Sequence, residues 1–132
     1  MQRLDHVALE VSDMAAAIAF YTSVIGLELM SCQTDDEHHE RFAFLAMEGG
    51  NLELLQPLDD TNAPLPFAPI EHRRSLCPHL ALAADDLDAV AERLQKAGVP
   101  IVKGPLEIPG MVRWLYAADP DGNLLEFVQW TH

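Results

Sequence analysis

The sequence predicts an α+β fold made of two paired β-α-β-β-β modules. The first observation is an internal repeat, in which His79 follows His6 by 73 positions and Glu126 follows Glu53 by the same 73. A constant offset between the halves indicates that one structural unit has been duplicated. The second observation is that each half has an alternating strand, a capped helix and then further strands. The repeat divides one predicted domain, 1–132, into module 1 at about 1–57, a linker or lid at about 58–75 and module 2 at about 76–132.

The elements of module 1 follow from alternation, capping and turn residues. Ser12 and Asp13 are suitable N-cap residues for a helix, and Gly26 suits the end of that helix. Gly49 and Gly50 predict a tight turn between two strands. The predicted elements are a strand at about 4–11, a helix at about 14–24 and strands at about 27–34, 41–48 and 51–56.

Module 2 repeats this order of elements. Asp85 or Asp86 can cap a helix, which Gly98 and Pro100 would end. The run 119–123, DPDGN, predicts a turn because proline presets φ and glycine allows a positive φ. The predicted elements are a strand at about 78–83, a helix at about 87–97, a short strand near 101 and strands at about 112–117 and 124–130.

Composition and charge argue against several functions. A hydrophobic content of 49% is ordinary for a soluble globular protein. No apolar run approaches the roughly 20 residues that a membrane span needs. A net charge of −13, from 21 acidic and 8 basic residues, would repel a phosphate backbone, so no nucleic-acid partner is expected. The N-terminal residues lack the pattern of a signal peptide, which favours the cytoplasm.

Strand parity places the four repeated residues on equivalent faces. Each of His6, Glu53, His79 and Glu126 alternates with apolar neighbours, so the apolar face of each strand can pack on a helix and these side chains share the opposite, concave face. A buried carboxylate needs a compensating charge, which a divalent cation supplies. Two imidazoles and two carboxylates suit Ni²⁺, Co²⁺, Zn²⁺, Mn²⁺ or Fe²⁺. Taken singly, each residue could instead be a structural histidine or a solvated glutamate.

These motifs resemble the vicinal oxygen chelate superfamily. It includes glyoxalases, methylmalonyl-CoA epimerases, extradiol dioxygenases, fosfomycin-resistance transferases and bleomycin-resistance proteins. The resemblance covers essentially the whole chain and is carried by LDHVALEV at 4–11, PHLAL at 78–82 and DPDGNLLE at 119–126. It implies that the modules form a half-barrel around one divalent metal ion, and that the ligands are His6, Glu53, His79 and Glu126.

Within the superfamily, the residue at position 53 indicates the reaction. Bacterial glyoxalases have Glu there, as this chain does, whereas the epimerases usually have Gln. The resemblance therefore implies a glyoxalase-like lyase or isomerase, in which the metal acts as a Lewis acid and Glu126 or Glu53 moves a proton beside a carbonyl. An Fe(II) extradiol-type dioxygenase or a thiol transferase, using His6, His79 and Glu126 alone, stays an alternative. A third possibility is a protein that binds a small molecule, such as an antibiotic, without catalysis.

Further positions bear on the substrate and the assembly. Glutathione-dependent members usually carry Arg four residues after the first His and Asn four after the first Glu, where this chain has Glu10 and Pro57. A substrate other than glutathione is therefore expected. Arg113 is a candidate for binding an anionic group of a small-molecule substrate, with a simple surface arginine as the alternative. Because relatives are commonly dimeric and exposed sheet edges favour pairing, a homodimer is expected, with the ligands either in one chain or shared between two.

Overall fold

The computed structural model describes residues 2–131. By its internal contacts the chain divides into two compact units, Met1–Pro69 and Ile70–His132. Each unit contains the four strands and the one α-helix predicted for its module, so the paired β-α-β-β-β organisation is confirmed. Over the described residues, no helix is both long enough and apolar enough to span a membrane.

Unit 1 contains one mixed sheet and one helical segment. Its strands have the order β1-β4-β3-β2, with β1 parallel to β4 and the other neighbours antiparallel. Its elements are β1 (His6–Glu10), α1 (Met14–Ala19), a π-helical turn (Phe20–Val24), β2 (Glu28–Asp35), β3 (Glu40–Ala46) and β4 (Asn51–Pro57).

Unit 2 has the same topology. Its strands have the order β5-β8-β7-β6, and only the β5–β8 pair is parallel. Its elements are β5 (Leu80–Ala83), α2 (Leu87–Lys96), β6 (Ile101–Ile108), β7 (Val112–Ala118) and β8 (Leu124–Trp130).

Both helices begin at a capping aspartate. The side chain of Asp13 accepts from the N–H of Ala16 at 3.0 Å, and that of Asp86 accepts from Ala89 at 3.1 Å. The first helix covers the predicted range but becomes π-helical after Ala19. The Thr22 hydroxyl donates to the carbonyl of Ile18 at 2.7 Å. This bond competes for an acceptor of the helical ladder, which favours a wider turn.

The strand β6 is longer than the sequence indicated. A short strand was predicted near Ile101, yet β6 continues through Gly104 and Pro105 to Ile108. Its pairing with β7 shifts register between Lys103 and Leu106, so an irregularity accommodates the two residues. Gly104 has φ of 103°, a conformation that glycine adopts without the steric cost of a side chain.

Each helix packs on one face of the sheet in its own unit. The core of each unit lies between its helix and its sheet. Alternate residues of β4 are buried, and the residues between them are only partly covered. Burial of each large apolar side chain contributes about 1.5–3 kcal/mol, so this face is strongly specified. The fully buried side chains include Met14, Tyr21, Leu45, Leu52 and Leu54 in unit 1, and Leu87, Leu94, Leu115 and Leu125 in unit 2.

The segment predicted as a linker or lid is divided between the units. Its first part returns to unit 1, where the N–H of Leu58 donates to the carbonyl of His39 at 2.8 Å. Its second part belongs to unit 2, where the N–H of Ile70 donates to the carbonyl of Asp121 at 3.1 Å. The ring of His72 also bonds the carbonyl of Gly122, at 2.7 Å. Both parts are thus bonded to folded structure.

Candidate metal centre

Unit 1 brings His6 and Glu53 together on the face of its sheet opposite the helix. In the parallel pairing of β1 with β4, Ala8 is the partner of Glu53. His6 lies two residues before Ala8 and therefore on the same face. His6 Nε2 is 3.7 Å from Glu53 Oε1. We call these two residues the unit 1 pair.

Unit 2 builds the equivalent pair by the same register. Ala81 is the partner of Glu126 in the parallel pairing of β5 with β8, and His79 lies two residues before Ala81. His79 Nε2 is 2.9 Å from Glu126 Oε2. We call these the unit 2 pair. The 73-residue offset in the sequence is therefore an equivalence of strand register as well as of residue type.

The hydrogen bonds at Nδ1 determine what each imidazole presents at Nε2. The Nδ1–H of His79 donates to the carbonyl of Leu76 at 2.8 Å, and that of His6 donates to Asp5 Oδ1 at 2.7 Å. With its hydrogen at Nδ1, a neutral imidazole has a lone pair at Nε2. In both pairs this lone pair faces a carboxylate, which also only accepts. Two facing acceptors need a cation with them, either a proton on Nε2 or a metal ion.

The carboxylates of the pairs are well covered while the imidazoles are more accessible. The side chains of Glu53 and Glu126 are 14% and 17% exposed, against 39% for His6 and 23% for His79. The pKa of His6 is raised, mainly by its hydrogen bond to Asp5. The charges of Glu53 and Asp5 add to this effect, and partial burial opposes it. Unit 1 therefore favours a positive charge at His6.

An aromatic ring lies edge-on to each imidazole. Phe44 contacts His6 with ring centroids 5.5 Å apart, and Tyr116 contacts His79 at 5.4 Å. Phe44 is the cross-strand partner of Glu53, just as Tyr116 is of Glu126. Burial, followed by the charge of Glu126, raises the pKa of Tyr116.

The constant 73-residue offset conceals the equivalence of Tyr116 to Phe44. Tyr116 follows Phe44 by 72 positions rather than 73, because the turn between β7 and β8 is one residue longer than that between β3 and β4. The strand register, and not the offset, identifies these two residues as equivalent.

The remaining predicted residues lie on both faces of the sheets. Glu10 shares the exposed face of β1 with His6, and Pro57 shares the face of β4 with Glu53. Arg113 does not lie with Glu126. Its guanidinium bonds Asp88 at the start of α2 at 2.9 Å, and strand alternation places it opposite Tyr116. Its role in substrate binding stays a prediction.

Among the described residues, 2–131, no three or more His, Cys, Asp or Glu side chains form a group able to hold a metal ion. Each pair alone supplies two donors, whereas zinc sites in proteins typically use three or four protein ligands. Cys77, an exposed free thiol, has its Sγ 3.9 Å from His79 Nδ1. That nitrogen already donates to Leu76, so the geometry gives Cys77 no clear role as a ligand beside His79 Nε2.

Comparisons with known proteins agree with this architecture. A probable lactoylglutathione lyase of Vibrio parahaemolyticus is 28% identical over 133 residues, which cover 96% of this chain and 90% of that protein. An ethylmalonyl-CoA/methylmalonyl-CoA epimerase of Cereibacter sphaeroides is 29% identical over 131 residues, covering 96% and 97%. The crystal structure of TnmS3, an antibiotic binding protein from Streptomyces sp. CB03234, matches with a TM-score of 0.69 at 28% identity and covers 99% of this chain and 98% of that one. The profile of one family matches residues 3–127, and the chain belongs to that family, the Glyoxalase/Bleomycin resistance protein/Dioxygenase superfamily.

Proposed function

We propose that the protein is a metal-dependent, glyoxalase-like lyase or isomerase that moves a proton beside a carbonyl group of a small-molecule substrate. The observation that carries this proposal is the repeated pairing of an imidazole lone pair with a covered carboxylate. His79 Nε2 faces Glu126 at 2.9 Å, and His6 Nε2 faces Glu53 at 3.7 Å. Relatives named as a lyase and an epimerase support the same class of reaction.

The donors of the two pairs fit a borderline divalent cation. Two neutral imidazoles and two carboxylates would neutralise its charge and match the ligands that Ni²⁺, Zn²⁺, Co²⁺, Mn²⁺ and Fe²⁺ accept. In this proposal one ion takes all four side chains, from one chain or from two chains of a homodimer. When bound, the ion supplies Lewis-acid stabilisation of the negative charge that develops on two adjacent substrate oxygens. The proposed ligands are His6, Glu53, His79 and Glu126.

The two carboxylates are the proposed proton carriers. A carboxylate that leaves the ion, Glu126 or Glu53, would accept a proton from the carbon beside the carbonyl and return it to the same or to the adjacent carbon. Protonation of the same carbon from the opposite face, by the other carboxylate, gives epimerisation, and return of the proton to the adjacent carbon gives isomerisation. The side chains of Glu53 and Glu126 keep 14% and 17% exposure, so the proton that they carry can exchange with solvent.

Two residues on the strand faces that carry His6 and Glu53 argue against glutathione as the thiol of the substrate. Glu10 lies on the His6 face of β1, where its negative charge would repel a glutathione carboxylate. Pro57 lies on the Glu53 face of β4 and has no side-chain hydrogen-bond donor. The net charge of −13 disfavours polyanionic substrates in the same way. The proposed substrate is a small oxygenated or thiol-conjugated metabolite.

A second candidate is a protein that binds a small molecule without turnover. It is supported by the 28% identity to TnmS3, an antibiotic binding protein. Metal analysis of untagged protein separates the two. The enzyme proposal requires about one equivalent of metal and a higher unfolding temperature on addition of Ni²⁺, Zn²⁺ or Mn²⁺. Less than about a tenth of an equivalent, with no stabilisation, would support the binder.

Catalysis can be tested without knowing the final product. The metal-loaded protein is incubated in D₂O with hemithioacetals of methylglyoxal and small thiols, or with 2-methyl-branched acyl thioesters. NMR then measures deuterium incorporation at the carbon beside the carbonyl. We expect incorporation with wild-type protein, and none with Glu126→Gln or after chelation of the metal. Incorporation that survives both changes would contradict the proposed role of the pairs.

A further inference from the structure

The two imidazoles are held at Nδ1 by different acceptors. A carboxylate oxygen of Asp5 accepts from His6 at 2.7 Å, whereas the backbone carbonyl of Leu76 accepts from His79 at 2.8 Å. The repeat explains the difference, since the position equivalent to Asp5 is Pro78, which has no carboxylate. Unit 2 uses a main-chain acceptor instead, from Leu76 with a φ of 53°. The charged acceptor is therefore particular to His6.

Asp5 reaches the ring because it lies immediately before β1. Neighbouring residues within a strand point to opposite faces, and Asp5 is free of that restriction. Its main chain is nevertheless fixed, because the N–H of Asn51 donates to its carbonyl at 2.9 Å. The preceding residue is also confined, since a Cβ at Gly50 would lie 3.0 Å from Cγ and 3.1 Å from the carbonyl oxygen of Leu4. The turn before β4 thus holds the segment that carries this exposed carboxylate.

We propose that Asp5 is a positioning residue that selects the Nδ1–H form of His6, directs the Nε2 lone pair toward Glu53 and strengthens His6 as a donor to a divalent cation. A carboxylate acceptor increases the basicity of an imidazole ligand and fixes its tautomer and ring orientation. The part of this inference that concerns the cation rests on the proposed function. The part that concerns the tautomer of His6 belongs to the metal-free protein.

The tautomer is measured by long-range ¹H–¹⁵N NMR of the metal-free protein at about pH 8.5, where an ordinary imidazole is neutral. In the wild type we expect the Nδ1–H form of His6 to predominate. Asp5→Ala shifts His6 toward the Nε2–H form, and Asp5→Glu restores part of the wild-type pattern. His79 is the internal control, and its signals stay unchanged because its acceptor is a backbone carbonyl. Unchanged His6 signals in Asp5→Ala would overturn the proposal.

Zn²⁺ affinity is measured on the same variants by competition with a chelating indicator. Loss of an outer partner of a metal-bound histidine typically weakens binding by about 10- to 100-fold, so Asp5→Ala loses at least about tenfold. Asp60→Ala removes the same charge from another exposed loop position of unit 1 and is the matched control. An equal loss in both variants would reduce the effect of Asp5 to general charge and contradict the proposal. A wild-type protein without metal affinity would contradict the proposed function and the cation part of this inference, while the NMR spectra would still decide whether Asp5 positions His6.

Discussion

His79 Nε2 lies 2.9 Å from Glu126 Oε2, although a neutral His79 that donates from Nδ1 has only a lone pair at that nitrogen. The equivalent atoms of His6 and Glu53 are 3.7 Å apart. The unit 2 pair is thus the tighter of two equivalent arrangements. In both, a cation is required to make the contact between imidazole and carboxylate favourable.

Replacing Glu53 by Gln tests the four-ligand proposal against a site of two histidines and one glutamate. The change keeps size and removes the charge, so we expect a larger loss of Zn²⁺ affinity than the roughly 10- to 100-fold typical of an outer partner. Isothermal titration calorimetry measures it. Gln33→Glu, at an exposed position of β2, is the control that shows whether a Gln/Glu exchange by itself disturbs folding. Affinity and turnover at wild-type levels in Glu53→Gln would favour the three-ligand site of a dioxygenase or thiol transferase.

A glutamine attaches each helix to the strand that carries the glutamate of the pair, and this glutamine is buried in unit 1 and part-buried in unit 2. Gln56 is 2% exposed, accepts from the N–H of Met14 at 3.2 Å and donates to the carbonyl of Ser12 at 2.8 Å. Gln129 accepts from the N–H of Leu87 at 2.7 Å. The donor and acceptor positions keep the 73-residue offset, so this attachment is part of the repeated unit.

We therefore expect Gln56→Ala to lower the free energy of unfolding by about 1–3 kcal/mol, because it leaves the buried N–H of Met14 without its acceptor. Urea denaturation measures the change. Gln33→Ala, at an exposed position of β2, is the matched control and should change stability by less than about 0.5 kcal/mol. Similar losses in the two variants would show that the hydrogen bonds of Gln56 contribute little.

The fold was predictable from the sequence because its determinants are local and repeated. Asp13 and Asp86 cap the helices as predicted, and the alternation around Glu53 and Glu126 gave the correct face of each strand. The 73-residue offset supplied a second reading of the strands that carry His6 and His79 and of those that carry Glu53 and Glu126. The length of β6 was not predictable in this way. Gly104 and Pro105 have the local pattern of a strand end, but pairing with β7 extends the strand past them.

The site was only partly predictable, for a physical reason. Strand parity identifies which residues share a face, but not which groups accept from an imidazole. The carbonyl of Leu76 as the partner of His79 depends on a left-handed backbone conformation that no residue type there indicates. Arg113 likewise required the structure, since its partner Asp88 lies on the helix side of the sheet.

The hydrogen bonds of the Asp59 carboxylate are expected to stabilise the folded state in a way that acid removes. Its Oδ1 accepts from the Thr61 hydroxyl at 2.6 Å, from the Thr61 N–H at 2.8 Å and from the Ala63 N–H at 3.0 Å. These bonds, first that from the hydroxyl, lower the pKa of Asp59. A carboxyl with a lowered pKa in the folded state stabilises it above the unfolded value of about 3.9, and the contribution is lost as the pH falls through the folded pKa.

Urea unfolding between about pH 6 and pH 2.5 measures this contribution. Asp59→Asn should be less stable than wild type at the upper end and should approach it at the lower end, since both side chains are then uncharged. Asp60→Asn, with the same change of charge at the adjacent exposed residue, should follow the wild-type curve. An Asp59→Asn curve parallel to that of the wild type would contradict the assignment.

Substitution of Arg113 tests whether this residue binds substrate or only forms a structural ion pair with Asp88. Its guanidinium donates to Asp88 at 2.9 Å, and this hydrogen bond, followed by the charge of Asp88, raises the pKa of Arg113. Because Asp88 is 75% exposed and Arg113 is 32% exposed, solvent screens the pair and its loss should change stability little. A purely structural ion pair requires Arg113→Gln and Asp88→Asn to have equally small effects on the unfolding temperature and no effect on KM in the exchange assay. A rise in KM of tenfold or more, about 1.4 kcal/mol of binding, in Arg113→Gln but not in Asp88→Asn would show that the arginine leaves this pair to bind substrate.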